Sequence, residues 1–428
     1  MYDGKYDLIG RRIPRTDAHT QVTGACQYCE DIYLPDMLHA KAHYTKYAHA
    51  KILSVDTEKA RKMPGVAAII THKDIPNNRW GLGGVPDQQV LAADKVRFFG
   101  DAIAVVAAET PEQARMAADV VEVEYEPLPV VLSIEEALDD GAPLLHEEFF
   151  DSNICFHSKL RLGDVKKGFA ESDLVVEHTY YTQKAEQAPI EPHVGVAQLE
   201  ADGRLLVTCT STRPYAYAMK MCDILQMSLN HLRMITPPGL GGSFGAKNEL
   251  MLEPWIAVLC LKTRRPVKMS LTREEEFFSS TTRHAYNMTY KTGVKKDGTL
   301  VAQQILLYSN TGAYLGLAKA QQIKAVVNSC GPYFVPNVSS DAYLVLTNGL
   351  LAGAMRGMGV PQVCFAYESQ MNRIAERLDI NPVQFRRKNL FGHRGQMPNG
   401  QLIYSAGALA AFERAWELFN DEQAKGGA

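Results

Sequence analysis

Two glycine-rich segments hold residue types that could do chemistry at close spacing. The first is Gly239-Leu240-Gly241-Gly242-Ser243-Phe244-Gly245-Ala246-Lys247, set between an expected strand and an expected helix. Glycines there let backbone N–H groups approach an anionic ligand closely. It is not a dinucleotide fingerprint, because the sixth position from Gly239 is Phe244, where GxGxxG wants glycine. It is not a Walker A loop either, since Ala246 precedes Lys247 and Asn248 follows it. The second segment, Ala354-Met355-Arg356-Gly357-Met358-Gly359-Val360-Pro361-Gln362, also opens a helix. Two such loops in one domain point to a large anionic ligand; a pair of tight turns without a ligand is the alternative.

Other reactive residue types carry less. Of the 8 cysteines only Cys26 and Cys29 have the spacing of paired ligands, and a zinc or iron–sulfur site needs about four. Their run, VTGACQYCED, alternates like a strand, so packed thiols are expected and any iron–sulfur centre must lie elsewhere. Glu191 and His193 sit together in IEPH; a structural role suits the carboxylate and a satisfied core position the imidazole. The run Glu274-Glu275-Glu276 reads as a solvated helix start.

The elements that must hold these residues alternate between strand and helix. DAIAVVAA, from Asp101, reads as a buried strand. Thr110, Pro111 and Gln113 then give an N-cap, a first-turn proline and a capping box. Ala114, Ala117 and Ala118 share one face of that helix, and VVEVEYE follows as a half-exposed strand stopping at Pro127. Asp139 to Asn153 is the best linker. Beyond it, strands are expected at 205–212, 233–236 and 267–272, and helices at 217–229 and 249–262. A further helix starts at Pro361, with Cys364, Tyr367, Met371, Ile374 and Leu378 as its buried stripe. The whole is an α+β protein.

The 428 residues suggest roughly two to three domains. With 45 Lys+Arg against 48 Asp+Glu the net charge is −3, which argues against a dedicated nucleic-acid binder. No apolar run reaches the roughly 20 residues that cross a bilayer. The polar start Met1 to Arg12 has no signal-peptide core, so a cytoplasmic protein is expected, with no membrane partner.

GGSFGAK resembles the GGGFGGK motif of the xanthine dehydrogenase/aldehyde oxidase family of molybdenum hydroxylases, and AMRGMGVPQ resembles that family's AFRGFGxPQ. Weaker marks stand in order along nearly the whole chain: GDAIAVVAAETPEQA, LTREEE, TRHA, SNTGAY, GPYFVPNV and NPVQFRRKNL. The resemblance implies a hammerhead-like α/β domain in residues 1–140, a first molybdopterin-binding domain in 150–390 and a C-terminal tail in 391–428. Gly357 stands where CO dehydrogenases carry cysteine, which sets that branch aside. The family's second cofactor domain and its catalytic glutamate in a Gly-Glu motif have no counterpart here. That division resembles nicotinate dehydrogenase, whose molybdenum protein is split between two chains.

What the resemblance implies for function follows from those motifs. The cofactor would be molybdopterin with molybdenum, the cytosine dinucleotide being one form it could take, held by its dithiolene without a protein ligand to the metal. Its contacts would be Arg213, Gly241, Gly242, Ser243, Phe244, Gly245, Arg356 and Gly357. Phe244, Asn248, Lys324 and Met358 would face an N-heteroaromatic substrate, to which water-derived oxygen is added. A second molybdopterin subunit would bring the glutamate base, and partner subunits the 2Fe-2S centre and FAD. Four positions depart from the purine enzymes: Arg213 for glutamine, Asn248 for glutamate, Lys324 for arginine and Met358 for phenylalanine. Losing the acid while keeping the cations favours an anionic or electron-poor ring. Arg213 also leaves open a non-catalytic assembly subunit with a decayed pocket, and the loops alone a nucleotide-binding protein.

Overall fold

The computed structural model describes residues 11–392 and 395–424; most of the polar start, residues 1–10, lies outside them. The strand predicted from Asp101 forms as Ala102–Ala108, buried at every residue. The helix Pro111–Asp119 follows with its capping box closed. The Thr110 hydroxyl accepts from Gln113 N–H at 3.2 Å and the Gln113 side chain accepts from Thr110 N–H at 3.1 Å. Such a cap contributes about 1 kcal/mol, and it needs only residues three apart.

The described residues include fourteen strands and six helices that build the main sheets and the layers beside them. They are β1 (Leu38–Tyr44), β2 (Ala50–Asp56), β3 (Val66–Thr71), β4 (Ala102–Ala108), α1 (Pro111–Asp119), β5 (Glu122–Pro127), β6 (Ile154–Leu162) and β7 (Leu174–Thr182). Then come β8 (Val194–Leu199), β9 (Leu205–Cys209), α2 (Pro214–Leu225), β10 (Leu232–Ile235), α3 (Glu253–Thr263), β11 (Val267–Ser270) and α4 (Arg273–Ser279). The last are β12 (Ala285–Val294), β13 (Leu300–Gly312), α5 (Ala318–Val327), β14 (Asn337–Leu346) and α6 (Val360–Arg377).

Two large sheets organise the chain. A seven-stranded mixed sheet runs β10-β9-β8-β11-β1-β4-β3. The strands on either side of the 139–153 stretch therefore share one sheet, joined where β1 pairs in parallel with β11. The stretch separates segments of chain, not separate sheets. A five-stranded sheet runs β7-β12-β13-β14-β6. The main core packs α2 and α3 on the first sheet, with Ile256, Leu259 and Met221 fully buried. The second core sets Tyr367, Met371 and Ile374 of α6 against Tyr290, Ile305 and Leu307. This is the stripe expected from the spacing of α6.

Several local expectations are corrected. The run around Cys26 and Cys29 is no strand: Gly24 turns the chain at φ +74° and Cys29 opens a short 3-10 turn. Both thiols are buried, and burial pushes that of Cys29 up to about 12. Glu274 to Glu276 do start a helix, α4, with Thr272 as its cap, but Glu275 and Glu276 are not solvated. Glu275 pairs with Lys41 at 2.7 Å, and Glu276 takes the His193 ring Nδ1 at 2.8 Å. His193 is thus a satisfied core residue. The helix expected from Glu249 begins instead at Glu253, because Gly245 is left-handed at φ +112° and Glu249 is extended. Helix α2 stops at Leu225, where Gln226 turns left-handed at φ +51°.

Candidate functional site

The two glycine-rich loops meet. The first leaves β10 on the seven-stranded sheet, and the second enters α6, which packs on the five-stranded sheet. Phe244 accepts a hydrogen bond through its carbonyl from Arg356 N–H at 2.8 Å. Beside that bond, a Cβ on Gly245 would lie 2.2 Å from the Ala354 carbonyl oxygen. Only glycine permits this approach at a left-handed φ. Phe244 and Met358, one on each loop, are themselves left-handed at φ +51° and +45°. Bulky residues adopt that conformation rarely and persist in it where the surroundings impose it.

The first loop is an arch tied at its base. Ser243 accepts from Ala246 N–H through its carbonyl at 2.9 Å, and its hydroxyl accepts from Gly245 N–H at 3.3 Å. The N–H groups of Gly242, Ser243 and Phe244 have no acceptor among the described residues. Consecutive free amides with alternating backbone hand form a concavity that suits an anion or a polarised oxygen. Phe244 is half exposed beside it.

The flanking positions fall into two pairs. Arg213 caps α2, its N–H donating to the Ser211 hydroxyl at 3.1 Å. The adjacent Thr212 hydroxyl lies 3.0 Å from the Lys247 carbonyl and against the Asn248 side chain. This brings Arg213 and Asn248 together at the foot of the first loop. On the other side Lys324, in α5, places Nζ 3.6 Å from the Met358 sulfur. No hydrogen bond or ion pair links the two pairs among the described residues. Gly357 is exposed on the second loop, and the Arg356 carbonyl is braced by Arg283 at 3.1 Å. Among the described residues Arg213, Arg283, Lys324 and Arg356 form no ion pair, although many cations elsewhere do.

Beneath the first loop lies a buried charge layer. Lys247 Nζ stands 3.0 Å from Glu191 Oε2, with both side chains nearly inaccessible. Burial lowers the Lys247 ammonium's pKa, although the Glu191 carboxylate opposes this. Glu249 is buried further in and accepts from Leu317 N–H at 3.2 Å. Burial pushes its carboxyl up to about 7. Among the described residues no group of three or more His, Cys, Asp or Glu side chains could hold a metal ion. Sequence reasoning missed Gln187, whose side-chain N–H donates to the Ala354 carbonyl at 2.7 Å. Its only signal was proximity to IEPH, since its partner lies 167 positions away.

The fold and this paired-loop site define an α+β cofactor-binding chain, and comparison with known proteins places it. Residues 23–129 match the aldehyde oxidase and xanthine dehydrogenase a/b hammerhead domain, and residues 145–390 the molybdopterin cofactor-binding domain. The chain belongs to the xanthine dehydrogenase/aldehyde oxidase family of molybdenum hydroxylases. It is 37% identical over 414 residues to the nicotinate dehydrogenase large molybdopterin subunit of Eubacterium barkeri, covering 96% of each chain. It is 41% identical over 377 residues to a probable xanthine dehydrogenase subunit of Bacillus subtilis, covering 88% of this chain and 50% of that one. The aldehyde oxidoreductase of Desulfovibrio gigas superposes with a TM-score of 0.92 at 29% identity, over 97% of this chain and 47% of that one. The chain thus spans about half the length of some relatives it matches.

Proposed function

We propose that this chain is the molybdopterin-binding subunit of a hydroxylase acting on an N-heteroaromatic substrate, completed by a second chain. The observation that carries the reading is the arch of three free amides, at Gly242, Ser243 and Phe244, locked against a second glycine-rich loop. The residues present fit such a group. Backbone amides of the arch and the side chains of Arg213 and Arg356 would hold its polar edge, while Gly357 leaves the second loop bare. Molybdopterin, when bound, supplies two-electron redox chemistry. A dithiolene-held metal needs no protein ligand, so electrostatic positioning is this chain's contribution.

The side chains around the arch then act on the substrate. Phe244 offers an apolar ring face, half exposed at the loop crest. Lys324 supplies one positive charge beside the polarizable Met358 sulfur. With Asn248 in place of an acid, an anionic or electron-poor ring such as a pyridine carboxylate is favoured over neutral xanthine. The name of the 37%-identical relative is consistent with that choice. The glutamate base belongs to the second molybdopterin subunit, and a 2Fe-2S subunit and an FAD subunit carry electrons away. The cytosine dinucleotide form of the cofactor and a cytoplasmic location complete the proposal. No helix among the described residues is long and apolar enough to cross a membrane.

The test is turnover of the assembled complex in oxygen-18 water. One labelled oxygen per product molecule is expected. Label arriving only from dioxygen, or no hydroxylated product from any N-heteroaromatic acid or purine, would contradict the reading.

A further inference from the structure

Residues 183–193 carry the chain from β7 in the five-stranded sheet to β8 in the seven-stranded sheet. This strap also grips one glycine-rich loop on each side. Toward the second loop, Gln187 donates its side-chain N–H to the Ala354 carbonyl, the same oxygen that excludes a Cβ from Gly245. Toward the first, Glu191 makes a double lock. Its N–H donates to the Gly241 carbonyl at 3.1 Å, and its Oε2 accepts from Gly241 N–H at 2.7 Å and from Lys247 Nζ at 3.0 Å. The two bonds to Gly241 hold the first foot of the arch, and the Lys247 ammonium neutralises the buried carboxylate that makes one of them. The approach is close enough that a Cβ on Gly241 would lie 2.4 Å from that of Glu191.

The strap is itself anchored. Arg273 donates to the carbonyl of Ile190 at 3.1 Å and also to that of Pro189. Ala185 and Glu186 pair with Arg283 and Thr282. The amide oxygen of Gln187 and the second carboxylate oxygen of Glu191, Oε1, are buried and unpaired among the described residues. Side chains that served packing alone would have those oxygens satisfied or replaced by carbon.

We infer that Gln187 and Glu191 are the positioning residues of the cofactor site: together they set the distance between the two glycine-rich loops at which molybdopterin binds. The inference rests on the proposed function and concerns how its site is held, not which substrate it takes. Neither residue reaches the reacting atoms on this account. Both act through the backbones of Gly241 and Ala354.

The test uses the complex purified with its partner chains. Molybdenum and pterin are measured per copy of folded chain, with folding checked by circular dichroism and gel filtration. Gln187→Met keeps the side-chain volume but removes the donor; a fall in cofactor content of at least fivefold is expected. The Glu191→Ala/Lys247→Met pair should show a similar fall. Glu191→Gln/Lys247→Met should return to within twofold of the parent, because glutamine still accepts from Gly241 N–H. If Gln187→Met does not fold, Gln187→Asn, too short to reach Ala354, carries the same expectation. A folded Gln187 variant with parental cofactor content would overturn the inference and leave the proposed function standing. So would a glutamine variant at position 191 no better than alanine, or failure of every variant to fold. A parent complex without molybdenum would overturn the proposed function as well.

Discussion

Lys324 sits near the end of α5 with Nζ 3.6 Å from the Met358 sulfur and, among the described residues, no carboxylate to neutralise it. A charge held that way, beside a soft apolar group, is available to a ligand carboxylate. A hydrogen bond to a charged group contributes about 1.5–3 kcal/mol. Lys324→Met should therefore lower kcat/KM for nicotinate by about 10- to 100-fold in the assembled complex, while a neutral purine changes by no more than a few-fold. Steady-state kinetics on nicotinate, hypoxanthine and xanthine check this, and unchanged nicotinate turnover would remove Lys324 from the pocket. Glu249 makes a second prediction. Burial holds its carboxyl at about 7 against an ordinary value of 4.5. Between those pH values the folded chain keeps a proton that the unfolded chain has lost, so stability falls as pH rises through the window. Asp87 and Asp101, each pushed up to about 6 by burial, act in the same direction. Glu249→Gln should thus gain stability over the parent as pH rises from about 4.5 to about 7.5, by on the order of 3 kcal/mol. Parallel melting-temperature profiles for the two proteins would contradict this.

The loops obey different limits. Gly245 faces the Ala354 carbonyl with no room for a methyl group and holds φ +112°. Gly245→Ala should separate the two loops and lower molybdenum content about tenfold or more, with secondary structure retained by circular dichroism. Full metal content would show that the loops need not touch. What the sequence reveals of these elements depends on how far each interaction reaches. Helix α1 is legible because Thr110, Pro111 and Gln113 cap it locally. The stripe of α6 is legible because one periodicity runs the length of the helix. Motif spelling marks both glycine-rich loops, and the structure does bring Lys324 to Met358 and Asn248 to Arg213's neighbour Thr212. The burial of Glu275 and Glu276 is not legible, because their partners Lys41 and His193 lie far off in the chain. Gln187 was invisible for the same reason. The CxxC run misleads because Gly24 and a 3-10 turn interrupt an alternation that composition alone cannot break.

Across the molecule, the site stands where loops of two sheets converge, and β1, β3 and β4 are built into the same sheet as strands of the cofactor-binding domain. The Desulfovibrio gigas aldehyde oxidoreductase is matched over only 47% of its length. On the proposed function, the glutamate base and the rest of the cofactor enclosure belong to a second chain. Expressed alone, the 428 residues should therefore fold, retain little cofactor and give no turnover with heteroaromatic acids or purines. Co-expression with the partner should restore both, and an active enzyme from this chain by itself would contradict that division. Metal and pterin analysis of the complex purified from its native source decides whether this chain holds the cofactor. One molybdenum and one molybdopterin per copy of this chain are expected. A folded, intact complex with neither, or one holding a nucleotide without molybdenum, would contradict that expectation.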